Sequence, residues 1–151
     1  MKKIVISACL VGVKCRYNGL DSKSEQVTKK FGENELIPIC PEQMGGLPTP
    51  RPPAEIVGGD GEDVLDGKAH VITAEGKDKT EEFRRGAYSA LEIARSHGAT
   101  HAVLKSKSPS CGCGHIYDGS FAGNLTTGDG VTTALFRRHG IQILTEEGLL
   151  E

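Results

Sequence analysis

The chain has 151 residues, 37% of them hydrophobic and 25% charged, with a formal net charge of −2. That length suits one domain, read as residues 1–151, with enough apolar surface for a real core. The charge balance gives no general attraction to nucleic acid or anionic membrane. With three Tyr, four Phe and no Trp, a stacking platform for a single-stranded nucleic-acid polymer is not expected either.

The first ten residues carry two lysines and then an apolar run, superficially like a signal peptide. That run is only about seven residues, is broken by Ser7, and meets Gly12, Lys14 and Arg16 at once. No stretch approaches the roughly 18 apolar residues of a membrane span. Ile4-Val5-Ile6 is therefore read as a buried first strand, and a cytoplasmic protein is expected. A Gly-, Cys- and Asn-rich loop runs to Gly19. Asp21 or Ser22 is expected to cap a helix over residues 23–31, closed by Gly32. Residues 36–39 form a second strand, in which Pro38 lacks a ladder donor and favours an edge or a strand end.

Residues 41–53 hold five prolines, which excludes a helix interior or a central strand. A loop of this length with apolar residues directly after Cys40 points to function. Residues 64–72 read as a hairpin turning near Asp66-Gly67. Residues 80–97 give the clearest helix, with Phe83, Ala87, Ala90, Leu91 and Ala94 on one face and Gly98 as its stop. Residues 101–104 are the third core strand. A loop follows over 106–130, then a helix over 129–139 stopped by Gly140, and a last strand over 141–144. This alternation predicts an α/β fold: a three-layer, mostly parallel, Rossmann-like sheet with helices on both faces and a small hairpin insertion.

Three apolar runs lead into Cys9, Cys40 and Cys111. If the runs are parallel strands, their carboxyl ends share the edge where such sheets bind ligands, and the three sulfurs converge. Five cysteines is an odd number, and nothing marks the chain as secreted, so metal ligands or catalytic thiols are favoured over disulfides. Zinc ribbons need two CxxC pairs, which are missing: Cys9 and Cys15 are too far apart, Cys111 and Cys113 too close. Iron–sulfur clusters accept thiolates from distant loops, and three ligands on four irons leave one iron open. Arg16, Lys105 and Lys107 lie near the mouth of that site and suit an anionic ring or a ribosyl phosphate. Arg51, its backbone fixed by prolines on both sides, is the stronger substrate-binding candidate. Residues 123–130 lead into a helix N-terminus, an anion-binding pattern. The histidines are scattered, and none pairs at metal spacing.

Residues 7–19, 40–56 (Cys-Pro-Glu, then Gly-Gly-Leu-Pro-Thr-Pro-Arg-Pro-Pro-Ala-Glu-Ile) and 104–123 (with Ser-Pro-Ser-Cys-Gly and Ile-Tyr-Asp-Gly) resemble the thiouracil desulfurase family nearly end to end. The resemblance implies a 4Fe–4S cluster on Cys9, Cys40 and Cys111, with one open iron that takes sulfur from a thiolated pyrimidine. It implies Glu42 and Ser108 as the catalytic pair, to which the positions of Arg51, Arg16 and Lys107 add the expected substrate side. Cys15 belongs to the motif as a structural or pocket residue, Cys113 stands outside it, and Asn18 replaces a frequent acid. The implied reaction is non-redox: the thiolated pyrimidine becomes the oxo form and hydrosulfide leaves. The same cysteines would also serve a non-enzymatic iron–sulfur or metal-binding sensor or store, or sit structurally in a nucleotide-binding module. The expected partner is a small-molecule thiolated nucleobase, with no membrane and no nucleic-acid polymer; a homodimer is the default assembly.

Overall fold

In the computed structural model, which describes residues 2–147, the N-terminal apolar run becomes strand β1 (Lys3–Ser7). β1 is central: β2 (Glu35–Ile39) pairs with it on one side and β5 (His101–Leu104) on the other, both in parallel. β8 (Gln142–Thr145) extends the sheet in parallel beyond β5, giving the order β2-β1-β5-β8. Pro38 therefore sits on an edge strand, opposite Ile6, where its missing N–H leaves no central ladder broken.

Both faces of every central strand are buried, as a sheet covered on two sides requires. Val5, Ile37, Ile39, Ala102 and Leu104 pack with Phe83, Ala87, Ala90, Leu91 and Ala94 of α4 (Thr80–Ser96) and with Ala134 and Leu135 of α5 (Val131–Arg138). Ile4, Ile6 and Val103 face the other way, against Leu10 and against Val27 of α1 (Glu25–Phe31). Fully burying each large apolar side chain contributes about 1.5–3 kcal/mol relative to leaving it exposed. These three layers bear out the α/β expectation.

Local chemistry shifts several boundaries. α1 starts two residues later than expected because Ser24, not Asp21 or Ser22, accepts the Val27 N–H at 3.3 Å; Asp21 instead accepts Lys23 N at 3.0 Å. The expected hairpin over 64–72 is wrong. Asp60 and Asp63 form a reciprocal capping box that starts helix α3 (Gly61–Leu65), and Val64 and Leu65 point into the core from that helix. The true hairpin joins β3 (Ala54–Val57) to β4 (His70–Thr73). A second one, β6 (His115–Tyr117) with β7 (Leu125–Thr127), lies inside the long glycine-rich loop. Pro41 opens a single helical turn, α2 (Pro41–Met44), a position where its missing N–H is harmless. Among the described residues no helix is long and apolar enough to cross a membrane.

Two glycine contacts fix α2 on α4. A Cβ at Gly86 would lie 1.8 Å from the Pro41 carbonyl, and one at Gly45 would lie 1.9 Å from the Glu82 carbonyl. No side chain fits between these backbones, so α2 is seated by direct contact. The segment carrying Cys111 is clamped with equal economy on the start of α5: Val131 N donates to Pro109 O and Thr132 N to Ser110 O, each at 2.8 Å. The Thr133 hydroxyl donates to Cys111 O at 2.9 Å. This overturns the anion-site reading of residues 123–130, because the helix's first donors are already spent on the chain.

Candidate functional site

The chain leaves β1 toward β2 on one side and later crosses to β5 on the other, so the carboxyl ends of β1 and β5 flank the reversal in strand order. Such a point opens a crevice. A cavity of about 490 Å³ lies there, lined among others by Cys9, Cys15, Cys40, Cys111, Glu42 and Ser108. They come from three post-strand segments: Cys9 and Cys15 after β1, Cys40 and Glu42 after β2, Ser108 and Cys111 after β5. Cys9 lies in a 3₁₀ turn after β1, Cys40 caps α2 after β2, and Cys111 follows β5. Ser7 ties the first and third together, accepting Lys105 N on its hydroxyl at 2.9 Å.

The sulfurs act on one another. The Cys40 thiol donates to Cys15 O at 3.8 Å. Cys40 is raised far above the ordinary thiol range, first by its hydrogen bond to Cys15, then by burial, with the Glu42 charge adding to both. For Cys15 the hydrogen bond to Cys40 is the largest influence and lowers it. The bond to Cys9, burial and the Cys9 and Glu42 charges outweigh that and push it up to about 11. Burial pushes Cys111 up to about 12, with Glu42 and Cys40 adding and Ser7 and Ser110 opposing. In the metal-free protein these thiols are protonated at neutral pH, and iron binding would displace their protons.

Glu42 is held by Arg51. The guanidinium donates to Glu42 Oε2 through Nε at 3.1 Å and again through Nη2. Its other donors reach Cys15 O at 2.9 Å, Thr49 Oγ1 at 3.0 Å and Pro48 O at 3.2 Å. The Arg51 side chain is only 5% exposed. Both contacts fall on one carboxylate oxygen; among the described residues Glu42 Oε1 accepts no hydrogen bond. The Ser108 hydroxyl oxygen accepts Cys111 N at 2.7 Å and Ser110 N at 3.0 Å. With its lone pairs so occupied, its own proton is left to donate.

The remaining expected residues also reach the cavity. Arg16 and Lys107 line it. Lys107 adopts a left-handed φ of 70°, uncommon for a residue with a Cβ, and its Nζ pairs with Glu147 at 3.4 Å. Lys105 pairs with Glu146 at 3.9 Å. Arg16 lies 5.9 Å from the Tyr17 ring centroid and is the cavity cation without a carboxylate partner among the described residues. Cys113 is not part of the lining; its Sγ accepts from Arg137 Nη2 at 2.9 Å. Two features escaped the sequence reading. Arg51 spends its donors on Glu42, Thr49 and backbone, and Glu55 lines the cavity although the string that contains it gave it no role.

The donor set fits a cluster better than one ion. Among the described residues no three His, Cys, Asp or Glu groups converge as ligands of a single metal ion. Cys9, Cys15, Cys40 and Cys111 nonetheless line one cavity, a set of soft donors that a multi-iron unit accepts.

Comparison with known proteins agrees. Residues 4–148 match the family model of 2-thiouracil desulfurase. A relative from Bacillus subtilis (strain 168), the uncharacterized protein YbbK, is 47% identical over 146 residues, 97% of each chain. A solved structure of a 4Fe–4S-dependent thiouracil desulfidase, TudS, is 46% identical with a TM-score of 0.85; the match covers 99% of this chain and 94% of that one. The chain belongs to the 2-thiouracil desulfurase family.

Proposed function

We propose that this chain converts a thiolated pyrimidine of the 2-thiouracil kind to its oxo form and releases hydrosulfide. The observation that carries this reading is one cavity that joins soft thiols, an arginine-held carboxylate and a proton-bearing serine. Cys9, Cys40 and Cys111 would hold a 4Fe–4S cluster, which when bound supplies a thiophilic, Lewis-acidic iron for the substrate's sulfur. Cys15 then serves as a wall, its carbonyl taken by Arg51.

The chain's own residues handle water and protons. Glu42 Oε1, without a partner among the described residues, accepts a proton from the water that attacks the thiocarbonyl carbon. Arg51 keeps the carboxylate in that orientation by occupying Oε2, so its role here is positioning rather than direct substrate contact. Ser108 donates its hydroxyl proton toward the substrate while two backbone N–H groups hold its oxygen. Arg16 and Lys107 orient the ring from the mouth. The balance is simple: C=S plus water gives C=O plus hydrosulfide and a proton, with no electron acceptor required.

The test is anaerobic reconstitution with iron and sulfide, followed by incubation with 2-thiouracil. Stoichiometric uracil and sulfide support the reading. A full cluster without turnover refutes it in favour of a non-enzymatic cluster protein. Glu42→Gln should keep the cluster and lose turnover by about 10²–10⁴-fold, the usual worth of a general base.

A further inference from the structure

We propose that Phe121 is the stacking platform for the substrate ring and that Glu55 is the residue that positions it. The inference rests on the desulfurase reading and adds the residue that grips the heterocycle.

Phe121 lies outside the packing of the core. Its φ is 57°, in the left-handed region that glycine and asparagine favour and that costs a bulky residue strain. It is 39% exposed and belongs to neither core cluster, yet its side chain lines the cavity. The chain has three Tyr and four Phe, and three of these rings, Tyr17, Tyr117 and Phe121, line this cavity.

The segment bearing Phe121 is pinned rather than loose. Glu55 Oε1 accepts Gly119 N at 2.9 Å and Phe121 N at 3.2 Å. Between them, Ser120 N donates to Asp118 Oδ1 at 2.9 Å. Three successive amides are thus tied by carboxylates. Gly119 presses on β3 so closely that a Cβ there would lie 2.6 Å from Ile56 O. An aromatic ring held under strain, at a cavity rim, by a carboxylate in the same wall is a preorganised contact surface. A flat pyrimidine offers the face such a ring takes.

The experiment compares holoprotein variants in steady-state desulfuration of 2-thiouracil and in thermal melts, and measures 2-thiouracil binding by equilibrium dialysis with each change placed in the turnover-deficient Glu42→Gln holoprotein. Stacking of one base against one ring corresponds to roughly 5–150-fold in affinity. Phe121→Gly should raise KM and the dissociation constant about tenfold, with kcat within about twofold. Its melting temperature should hold or rise, because glycine tolerates this φ. Phe121→Tyr should keep the wild-type KM. Glu55→Ala should raise KM similarly, Glu55→Gln should restore it by keeping an acceptor oxygen, and Glu55→Ala should add nothing to Phe121→Gly.

Unchanged KM and dissociation constant in Phe121→Gly would overturn the proposal, as would Glu55→Ala lowering the melting temperature without changing either. The two readings fail separately. Protein that binds 2-thiouracil through Phe121 but releases no sulfide upholds the platform and sinks the desulfurase reading. Turnover with binding indifferent to Phe121 does the reverse.

Discussion

Replacing Arg51 with alanine separates two roles that the sequence could not distinguish. Arg51 makes contacts to Glu42, Cys15 O, Thr49 Oγ1 and Pro48 O from a side chain only 5% exposed. Its loss leaves the Glu42 carboxylate, 16% exposed, without its counter-charge. Removing one member of a buried pair costs about 3–5 kcal/mol. Glu42 borders a cavity that admits water, so a somewhat smaller loss, about 2–4 kcal/mol, is expected. For a chain of this length that lowers the melting temperature by roughly 5–15 °C. The assay is urea and thermal unfolding of Arg51→Ala, Glu42→Gln and the double variant, with kcat and KM measured on each. A positioning role requires a fall in kcat and a coupling energy between the two residues of at least about 1 kcal/mol. Unchanged stability with only KM raised would refute the reasoning and return Arg51 to direct substrate contact.

Other outcomes follow from the same contacts. Gly86→Ala would place a methyl 1.8 Å from Pro41 O. The displaced α2 should cost about 1–3 kcal/mol and lower bound iron per chain, read by unfolding and iron analysis. Iron uptake should strengthen as pH rises. The raised thiols, Cys111 to about 12 and Cys40 upward, still carry protons at neutral pH. Ligation must displace them, so lowering the pH favours the metal-free form by up to about tenfold per pH unit for each proton released. Competition with a pH-characterised iron chelator between pH 6.5 and 8.5 checks this, and pH-independent retention would contradict it.

The sequence carried the architecture well where periodicity was long or hydrophobic. Ile4-Val5-Ile6, residues 101–104 and the helix bearing Phe83 to Ala94 declared themselves through apolar runs and a single buried face. The meeting of Cys9, Cys40 and Cys111 on one cavity followed from reading those runs as parallel strands. Short elements failed for a physical reason. Helix α3 is five residues long, too short for a period, and the Asp66-Gly67 turn signal beside it imitated a hairpin. The real partner of β4 lies before α3, immediately after the prolines, and nothing local reveals such a pairing. Arg51 was visible as a constrained cation, but its target was not, because Glu42, nine positions earlier, is reached only through the fold. Glu55 lay within the proline-rich string that carries the resemblance, but nothing there gave it a role; its importance arises from a loop 64 residues further along the chain.

Iron and sulfide content, measured with anaerobic absorption spectra on single Cys→Ser variants at positions 9, 15, 40, 111 and 113, tests the cluster assignment most directly. Loss of the cluster spectrum is expected for Cys9→Ser, Cys40→Ser and Cys111→Ser. Retention is expected for Cys15→Ser and for Cys113→Ser, whose sulfur is engaged by Arg137 away from the cavity. A complete cluster in any of the first three, or its loss on changing Cys113, would contradict the assignment.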